Sequence, residues 1–477
     1  MRLPPGSDSI VRTLRGAGYE CYLVGGSVRD LLLGRRGVDM DFTTNARPPE
    51  LQRLFPRSHY ENRFGTVLVR AGGKYHEVTT YRGEGRYSDH RHPDEIRFVD
   101  RLEEDLQRRD FTINAMAMDE DGRLVDPFGG RGDLDARLLR AVGDPAERLS
   151  EDPLRMMRAV RLAVQLDFTI EPHTAEAIRR DCPLLAVISR ERVRDELLKI
   201  LASERPTAGI ELLGNLGLLS DVLPGLAATR TPQVTPAATG YNHALQTLAH
   251  CQCDALLRLA ALLHVLDEPQ RLLPALFPSG EGTAPAPSVG ARFIAPASHT
   301  EVQTAGDPFT RAGEGRGEGE TRAAAEPRAA PSLARELARL RLSNAEADRE
   351  RRLVAALPLL PRDLPANERS ARRLLSALGE LFPDVLRLAE AHRRAGAPQS
   401  ANLRRLGDLR RLAARVEREH QPFTLAGLAL NGDDLVHELG IPPGPHIGEL
   451  LKQLLDRVLD DPSLNEREML LAIARAQ

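Results

Sequence analysis

Along the first 140 residues, short apolar and β-branched runs alternate with polar, turn-forming stretches. Strands are predicted at 21–24, 38–42, 67–69 and 75–80, with helical segments between them, so this part has an α/β pattern. From Glu151 onward the apolar positions follow helical spacing, as in Leu154, Met157, Val160, Leu162 and Leu166, and again in Val193, Leu197, Leu198 and Ile200. The remainder is expected to be helix packed on helix. Between Pro278 and Pro331 the chain turns to Gly, Ala, Pro, Glu, Arg and Ser, as in GEGRGEGETRAAAEPRAAPS. Such a stretch cannot bury enough apolar surface to order itself, which predicts a flexible insertion. Helical periodicity resumes at Leu333, Leu337, Leu340 and Leu342, pauses at PLLPRDLP, and runs to the end with a turn at 440–444.

Composition narrows this picture. A chain of 477 residues is too long for one core and implies about two to four domains. Aromatics make up only 4% and Trp is absent, so aliphatic side chains must fill the interior, against an aromatic-rich all-β architecture. No run of about 18 apolar residues exists. The opening Met1-Arg2-Leu3-Pro4-Pro5 has no apolar segment of the signal-peptide kind, so a soluble, cytoplasmic protein is expected. The four cysteines include the pair Cys251 and Cys253 but no second pair at zinc spacing, and reduced thiols are expected.

Net charge is −3, which rules out a uniformly basic nucleic-acid-binding surface and requires any polyanion to be held locally. All but Lys74, Lys199 and Lys452 of the 65 basic residues are arginine, the better bidentate ligand for phosphate. Composition bias is the simpler source of that excess.

Two motifs carry candidate chemistry. Gly25-Gly26-Ser27-Val28-Arg29-Asp30 lies between the apolar strand CYLV and the helical Leu31-Leu32-Leu33. Strand, glycine turn and helix start form a context that cradles phosphate on backbone N–H groups. Asp39-Met40-Asp41 follows in the predicted second strand, where alternation puts both carboxylates on one face. Two facing carboxylates suit a pair of divalent ions about 3.5–4 Å apart, clamping an in-line phosphoryl or nucleotidyl displacement. Glu77, on the later strand His76-Glu77-Val78-Thr79-Thr80, is a candidate third acidic ligand.

With these residues in place, the chain resembles the class II tRNA nucleotidyltransferases (CCA-adding enzymes) and bacterial poly(A) polymerases. The match continues through Arg108-Arg109-Asp110-Phe111-Thr112-Ile113-Asn114-Ala115, Asp126-Pro127-Phe128-Gly129-Gly130 with Asp133-Leu134, Glu151-Asp152-Pro153-Leu154-Arg155 and Glu191-Arg192. Leu430-Asn431-Gly432-Asp433-Asp434-Leu435 and Gly444-Pro445-His446-Ile447-Gly448 look like the tail of these enzymes. The resemblance implies an α+β fold: a polymerase-β-like nucleotidyltransferase head with a mixed sheet, then an elongated all-α neck, body and tail. It divides the chain into a head at 1–140, a neck at 141–205, a body at 206–277 and 331–395 around the 278–330 insertion, and a tRNA-binding tail at 396–477.

The resemblance also implies roles. Asp39 and Asp41 bind catalytic Mg²⁺, with Glu77 beside them. Gly25, Gly26, Ser27 and Arg29 hold the triphosphate, Arg109 and Asp110 contact nucleotide and ribose, and Asn114, Arg158 and Arg161 complete the nucleotide site. Glu151, Asp152 and Arg155 sit at i, i+1 and i+4 of a predicted helix, forming one polar face. In the family role, Asp152 accepts from the exocyclic amine of C or A while Arg155 donates to the neighbouring ring acceptor. U and G present the reverse pattern, so no nucleic-acid template is needed.

The implied reaction is addition of C and A, as CCA or the terminal A only, to tRNA 3′ ends from CTP and ATP with release of pyrophosphate. Its partners are the tRNA 3′ end, ATP and CTP, with no membrane and no obligate protein partner. Poly(A) polymerase, a CC-adding enzyme and an RNA-binding protein with an inactive head are the alternatives. The charged, Gly-rich residues 81–94 (YRGEGRYSDHRHPD) look like the flexible loop of full-length CCA- and A-adding members, against a CC-only enzyme.

Tyr241-Asn242-His243 and Leu259 to Val265 resemble an HD phosphohydrolase domain whose His-Asp pair has become His264-Val265, with Asp267 two residues late. A helical scaffold without a metal site is expected there. Arg393, Arg394, Arg404, Arg405, Arg410, Arg411 and Arg415 form a basic cluster, of which Arg404, Arg405, Arg410 and Arg411 are candidate tRNA contacts. An ordinary solvated face paired with Asp408, Glu417 and Glu419 is the competing reading.

Overall fold

The computed structural model describes residues 7–35, 39–60, 65–83, 97–230, 240–252, 254–266, 332–361, 363–396 and 400–476. The 278–330 insertion and Asp267 lie outside these, as does most of the 81–94 loop.

The N-terminal part is built on one seven-stranded sheet. Its strands are β1 (Cys21–Val24), β2 (Phe42–Thr44), β3 (Ser58–Tyr60), β4 (Thr66–Ala71), β5 (Lys74–Thr80), β6 (Ala117–Met118) and β7 (Leu124–Val125). The order is β3-β4-β5-β2-β1-β6-β7. Only β2 and β5 pair in parallel, Phe42 opposite Val78 and Thr44 opposite Thr80, which makes the sheet mixed, as expected. Cys21, Leu23 and Val24 are buried, as is Val28 of the following helix, and Val24 packs in a cluster with Tyr81, Leu102, Leu106 and Ala117.

The second predicted strand is displaced. Residues 39–41 are extended but β2 begins only at Phe42, because the Asp41 N–H donates to the Ser27 hydroxyl (2.9 Å) and not to a neighbouring strand. Alternation survives the shift: Met40 is buried, while Asp39 and Asp41 face the accessible side.

Beyond the sheet, helices follow one another as the periodicity predicts. One expected helix is broken. Glu151 ends the Pro145–Glu151 helix, Asp152 is extended (φ −138°, ψ 93°), and after Pro153 a new helix runs from Leu154 to Leu166. Proline tolerates the start of a helix but not its interior, so Pro153 fixes the break. The Leu154–Leu166 helix buries Leu154, Met156, Met157, Val160, Leu162 and Val164, and packs on Arg190–Leu201. A two-stranded parallel ribbon, β8 (Leu138–Leu139) with β9 (Thr169–Ile170), ties the end of that helix back to the segment after the sheet.

At the start of the 81–94 loop, Tyr81 is fully buried and donates its hydroxyl to Glu20. Tyr81 is therefore core and not loop. Arg82 bridges to Phe98, and the Gly83 N–H donates to the Arg97 carbonyl. Cys21, Cys182 and Cys251 are free thiols. No helix among the described residues is long and apolar enough to cross a membrane.

Candidate active site

The glycine turn opens the helix Gly26–Leu32 directly after β1. Gly25 has φ +69°, and a Cβ there would meet Nη1 of Arg109 at 2.8 Å. Both the left-handed backbone and the close approach require glycine. Ser27 is 2% exposed; its hydroxyl donates to the Asp39 carbonyl (2.8 Å) while accepting from Asp41 N–H, so it fastens the turn to the carboxylate segment. The hydroxyl's one proton is committed to that bond, which leaves the Ser27 backbone N–H as the group for the expected triphosphate contact. The parallel register sets Asp41 and Glu77 each one residue before the paired Phe42 and Val78 on adjacent strands.

Burial is the main cause that raises the Asp41 pKa, helped by the Asp39 carboxylate and opposed by Arg109 and the Ser27 hydrogen bond. Asp41, with the Asp39 carboxylate close enough to raise it and a third acid on the next strand, forms a hard-oxygen donor set of the kind divalent cations take. The residues present therefore fit the divalent metal that nucleotidyltransferases of this kind generally use.

Arg108 and Arg109 are held by a residue outside the recognised motifs. Asp105, fully buried, accepts from Arg108 Nη2 (2.6 Å) and Nε (2.9 Å), from Arg109 Nη2 (3.2 Å), from the Thr43 hydroxyl and from Arg82 N–H. Burial alone would raise its pKa, but Arg108 and Arg109 hold it well below the usual carboxylate range. Arg109 thereby lies against the Gly25 turn and close enough to Asp41 to lower that carboxyl. Its buried Nε has no hydrogen-bond partner among the described residues, a donor suited to an anion.

Asp110 is engaged on both of its oxygens. Oδ1 accepts from Phe111 N–H and Asn114 Nδ2, and Oδ2 accepts from Arg158 Nε and Nη2. Its four acceptor sites are thus taken, so a ribose hydroxyl would have to displace a donor. Here Asp110 positions other side chains. Asn114 passes the chain of contacts on, accepting from Arg29 Nη1 (2.7 Å), while Arg29 also forks onto Asp30.

The broken helix separates the residues of the base-reading motif. Asp152 does not pair with Arg155; it accepts from Leu154 N–H and, at 2.8 Å, from Nη2 of Arg192 on the neighbouring helix. Arg155 is buried and donates to Glu151 (2.6 Å), the Arg148 carbonyl and the Arg108 carbonyl. Those bonds leave Nε–H and one Nη2 proton for a ligand edge. Arg155, Arg158 and Arg161 are spaced by three along one side of the helix. Arg161 is committed to Glu196 (2.6 Å) and Gln165, which makes it a clamp between two helices. Asp105 and Arg192 are the site residues whose roles sequence reading missed. Only an Arg192 position within a matching motif hinted at one of them.

The C-terminal basic cluster is not one open face. Arg393 is buried and donates to the Asn402, Leu360 and Pro361 carbonyls, which is a structural role. On the helix Ser400–Arg418, Arg410 pairs with Glu390, Arg411 with Asp408 and Arg415 with Glu368 and Glu419. Arg404, Arg405, Arg410 and Arg411 are all exposed.

In the HD-like region a third histidine joins the two that the sequence singles out. His243 (helix Gly240–Ala249) and His264 (end of Ala255–Leu263) meet His392 of the helix Phe382–Ala395, with ring centroids 4.8–5.2 Å apart. Burial and the neighbouring His392 and His243 push His264 down to about 3.

Comparison with known proteins bears on the whole chain. Residues 21–140 match the poly A polymerase head domain, 167–229 the RNA- and SrmB-binding site of polymerase A, and 330–474 tRNA nucleotidyltransferase domain 2. Over 220 residues, 46% of the chain, it is 50% identical to the CCA-adding enzyme of Geobacillus kaustophilus, and over 227 residues 47% identical to that of Geobacillus stearothermophilus. The chain spans about half the length of these curated relatives, 54% and 56%. The crystal structure of the Bacillus stearothermophilus CCA-adding enzyme with CTP superposes with a TM-score of 0.70 at 30% identity, covering 98% of this chain and 97% of that one. A Thermotoga maritima CCA-adding enzyme complexed with tRNA shares the fold at 20% identity and a TM-score of 0.58.

Proposed function

This chain belongs to the family of CCA-adding enzymes and bacterial poly(A) polymerases, and from that premise we propose that it adds C and A residues to tRNA 3′ ends without a nucleic-acid template, as CCA or as the terminal A alone. The observation that carries this reading is the run of contacts from the Asp39–Asp41 segment and the Arg109 turn through Asp110–Arg158 and Arg108–Arg155 to the helix that carries Arg155. The substrates are CTP and ATP, the second product is pyrophosphate, and the setting is the cytoplasm.

Asp39 and Asp41, with Glu77, would hold Mg²⁺, which when bound supplies charge stabilisation to the displacement at the α-phosphorus. The chain's own groups do the rest. The backbone of the Gly25-Gly26 turn, the Arg109 guanidinium and Arg29 neutralise the triphosphate, at the point where charge accumulates as pyrophosphate leaves. The network from Asp105 and Asp110 through Asn114 holds those arginines in place before substrate arrives, so little reorganisation accompanies the reaction. Asp152, fixed by Arg192, keeps a lone pair on Oδ2 for an exocyclic amine, and Arg155 directs its remaining protons to the adjacent ring acceptor. A base offering a carbonyl in place of the amine would set two acceptors against each other. The exposed Arg404, Arg405, Arg410 and Arg411 are assigned to phosphates of the tRNA.

The test is extension of tRNA transcripts ending before CCA, after C and after CC, with CTP, ATP or both. Addition that stops when CCA is complete is expected. Long A tails on arbitrary RNA would replace this reading with poly(A) polymerase, and extension with CTP alone that never proceeds to A would replace it with CC addition.

A further inference from the structure

Three histidines from three helices converge outside the site described above. The ligating nitrogens of His243, His264 and His392 all lie within 4.8 Å of one another. In tetrahedral coordination at about 2.0–2.1 Å, nitrogens stand roughly 3.4 Å apart, so each pair has at most about 1.4 Å to close.

The strongest single observation concerns His264. Its Nδ1 lies 2.9 Å from the Ala261 carbonyl. A carbonyl only accepts, so Nδ1 carries the proton and Nε2 presents a lone pair. That Nε2 is buried and has no hydrogen-bond partner among the described residues. A metal-bound imidazole shows this arrangement: one nitrogen fixed by a backbone carbonyl, the other bare and aimed inward. His243 also lines a cavity of about 560 Å³ with Thr207, Glu211, Asn242 and Gln246, which gives the cluster a polar route to solvent.

We propose that His243, His264 and His392 form a binding site for one borderline divalent transition ion of the Zn²⁺ class. Three imidazoles without a carboxylate favour Zn²⁺, Co²⁺ or Ni²⁺ over Mg²⁺, which demands oxygen ligands. The ion would be distinct in chemistry from the one at Asp39 and Asp41. It would pin together the helices Gly240–Ala249, Ala255–Leu263 and Phe382–Ala395. Val265 removes the carboxylate that a dinuclear hydrolytic centre would share, so one ion and a structural role are expected.

Co²⁺ and Zn²⁺ titrations of chelator-treated full-length protein test this. The expected result is a visible tetrahedral Co²⁺ absorption band saturating at one equivalent, displaced by Zn²⁺ and untouched by excess Mg²⁺. The D39A/D41A variant should keep the band. His264→Gln and His392→Gln should each lose it, with affinity falling by more than the 10–100-fold that loss of an outer partner typically causes. Zn²⁺ should raise the melting temperature of the wild type and of D39A/D41A but of neither histidine variant. If a histidine variant does not fold, the other two proteins decide the matter. No tetrahedral band in wild type, or a band that vanishes in D39A/D41A, or one kept by both folded histidine variants, would overturn the proposal.

Discussion

Arg158 donates both Nε (2.9 Å) and Nη2 (2.6 Å) to a single oxygen of Asp110, joining residues 48 positions apart. The pair links the sheet-bearing part of the chain to the Leu154–Leu166 helix, and so couples the arginines proposed to bind phosphate to the residues proposed to read the base. Asp110 is buried, and although burial alone would raise its pKa, Arg158 and Asn114 hold it well below the usual carboxylate range. The far edge of Arg158 reaches solvent, with 36% of its side chain exposed, which screens part of the attraction.

Arg158→Met should therefore destabilise the protein by about 1.5–3 kcal/mol, the range for a hydrogen bond to a charged group. Asp110→Asn added to it should cost less than the sum of the two changes. Urea unfolding of the single and double variants measures this, and strict additivity would mean that the two side chains do not interact.

Asp39→Ala should abolish nucleotide incorporation and leave the melting temperature unchanged. Asp39 is exposed, and its backbone carbonyl, not its carboxylate, receives the Ser27 bond. Undiminished extension of tRNA ending in CC by this variant would remove Asp39 from the reaction.

Asp152→Ala should lose one to two decades of discrimination against UTP and GTP, since a missing hydrogen bond to a charged group is worth roughly 1.5–3 kcal/mol. Arg192→Met should shift selectivity in the same direction by a smaller factor, because it frees Asp152 without deleting it. Competition between labelled CTP and UTP reads both. Selectivity that Asp152→Ala leaves intact would exclude Asp152 from base recognition.

Glu350 gives a pH dependence. It is fully buried, and burial pushes its pKa up to about 8 against the pull of Arg349, with Asp254 and Asp384 adding to the rise. Between its ordinary value near 4.5 and about 8, the folded state keeps a proton that the unfolded chain has lost. The associated stability is complete below pH 4.5 and declines as pH rises toward 8. Glu350→Gln should match the wild type at pH 5 and exceed it at pH 8 by on the order of 1–3 kcal/mol. Denaturation at the two pH values checks the sign.

Much of the sheet was legible because its strands are short, β-branched and bounded by turn residues. β1 falls where the CYLV pattern puts it, and β5 extends one residue beyond its predicted start. The Asp39-Met40-Asp41 segment was misplaced because a side chain, Ser27, takes a backbone bond that pattern analysis assigns to a ladder. Spacing alone put Asp152 and Arg155 on one helical face, yet Pro153 between them was the readable sign of a break. Asp105 and His392 were not legible at all. Each acts through partners brought close only by tertiary packing, and a buried aspartate in LEEDLQ or a histidine in a helix near the basic cluster looks like ordinary surface.

The Ser27 hydroxyl has one further consequence. By bonding the Asp39 carbonyl and the Asp41 N–H at once, it makes the glycine turn and the carboxylate segment a single mechanical part. A displacement of one drags the other, so in the proposed reaction affinity for the phosphates and affinity for the cation would share one hinge. Substitutions near Ser27 should move both constants in step, and selection acting on either would find the second already attached.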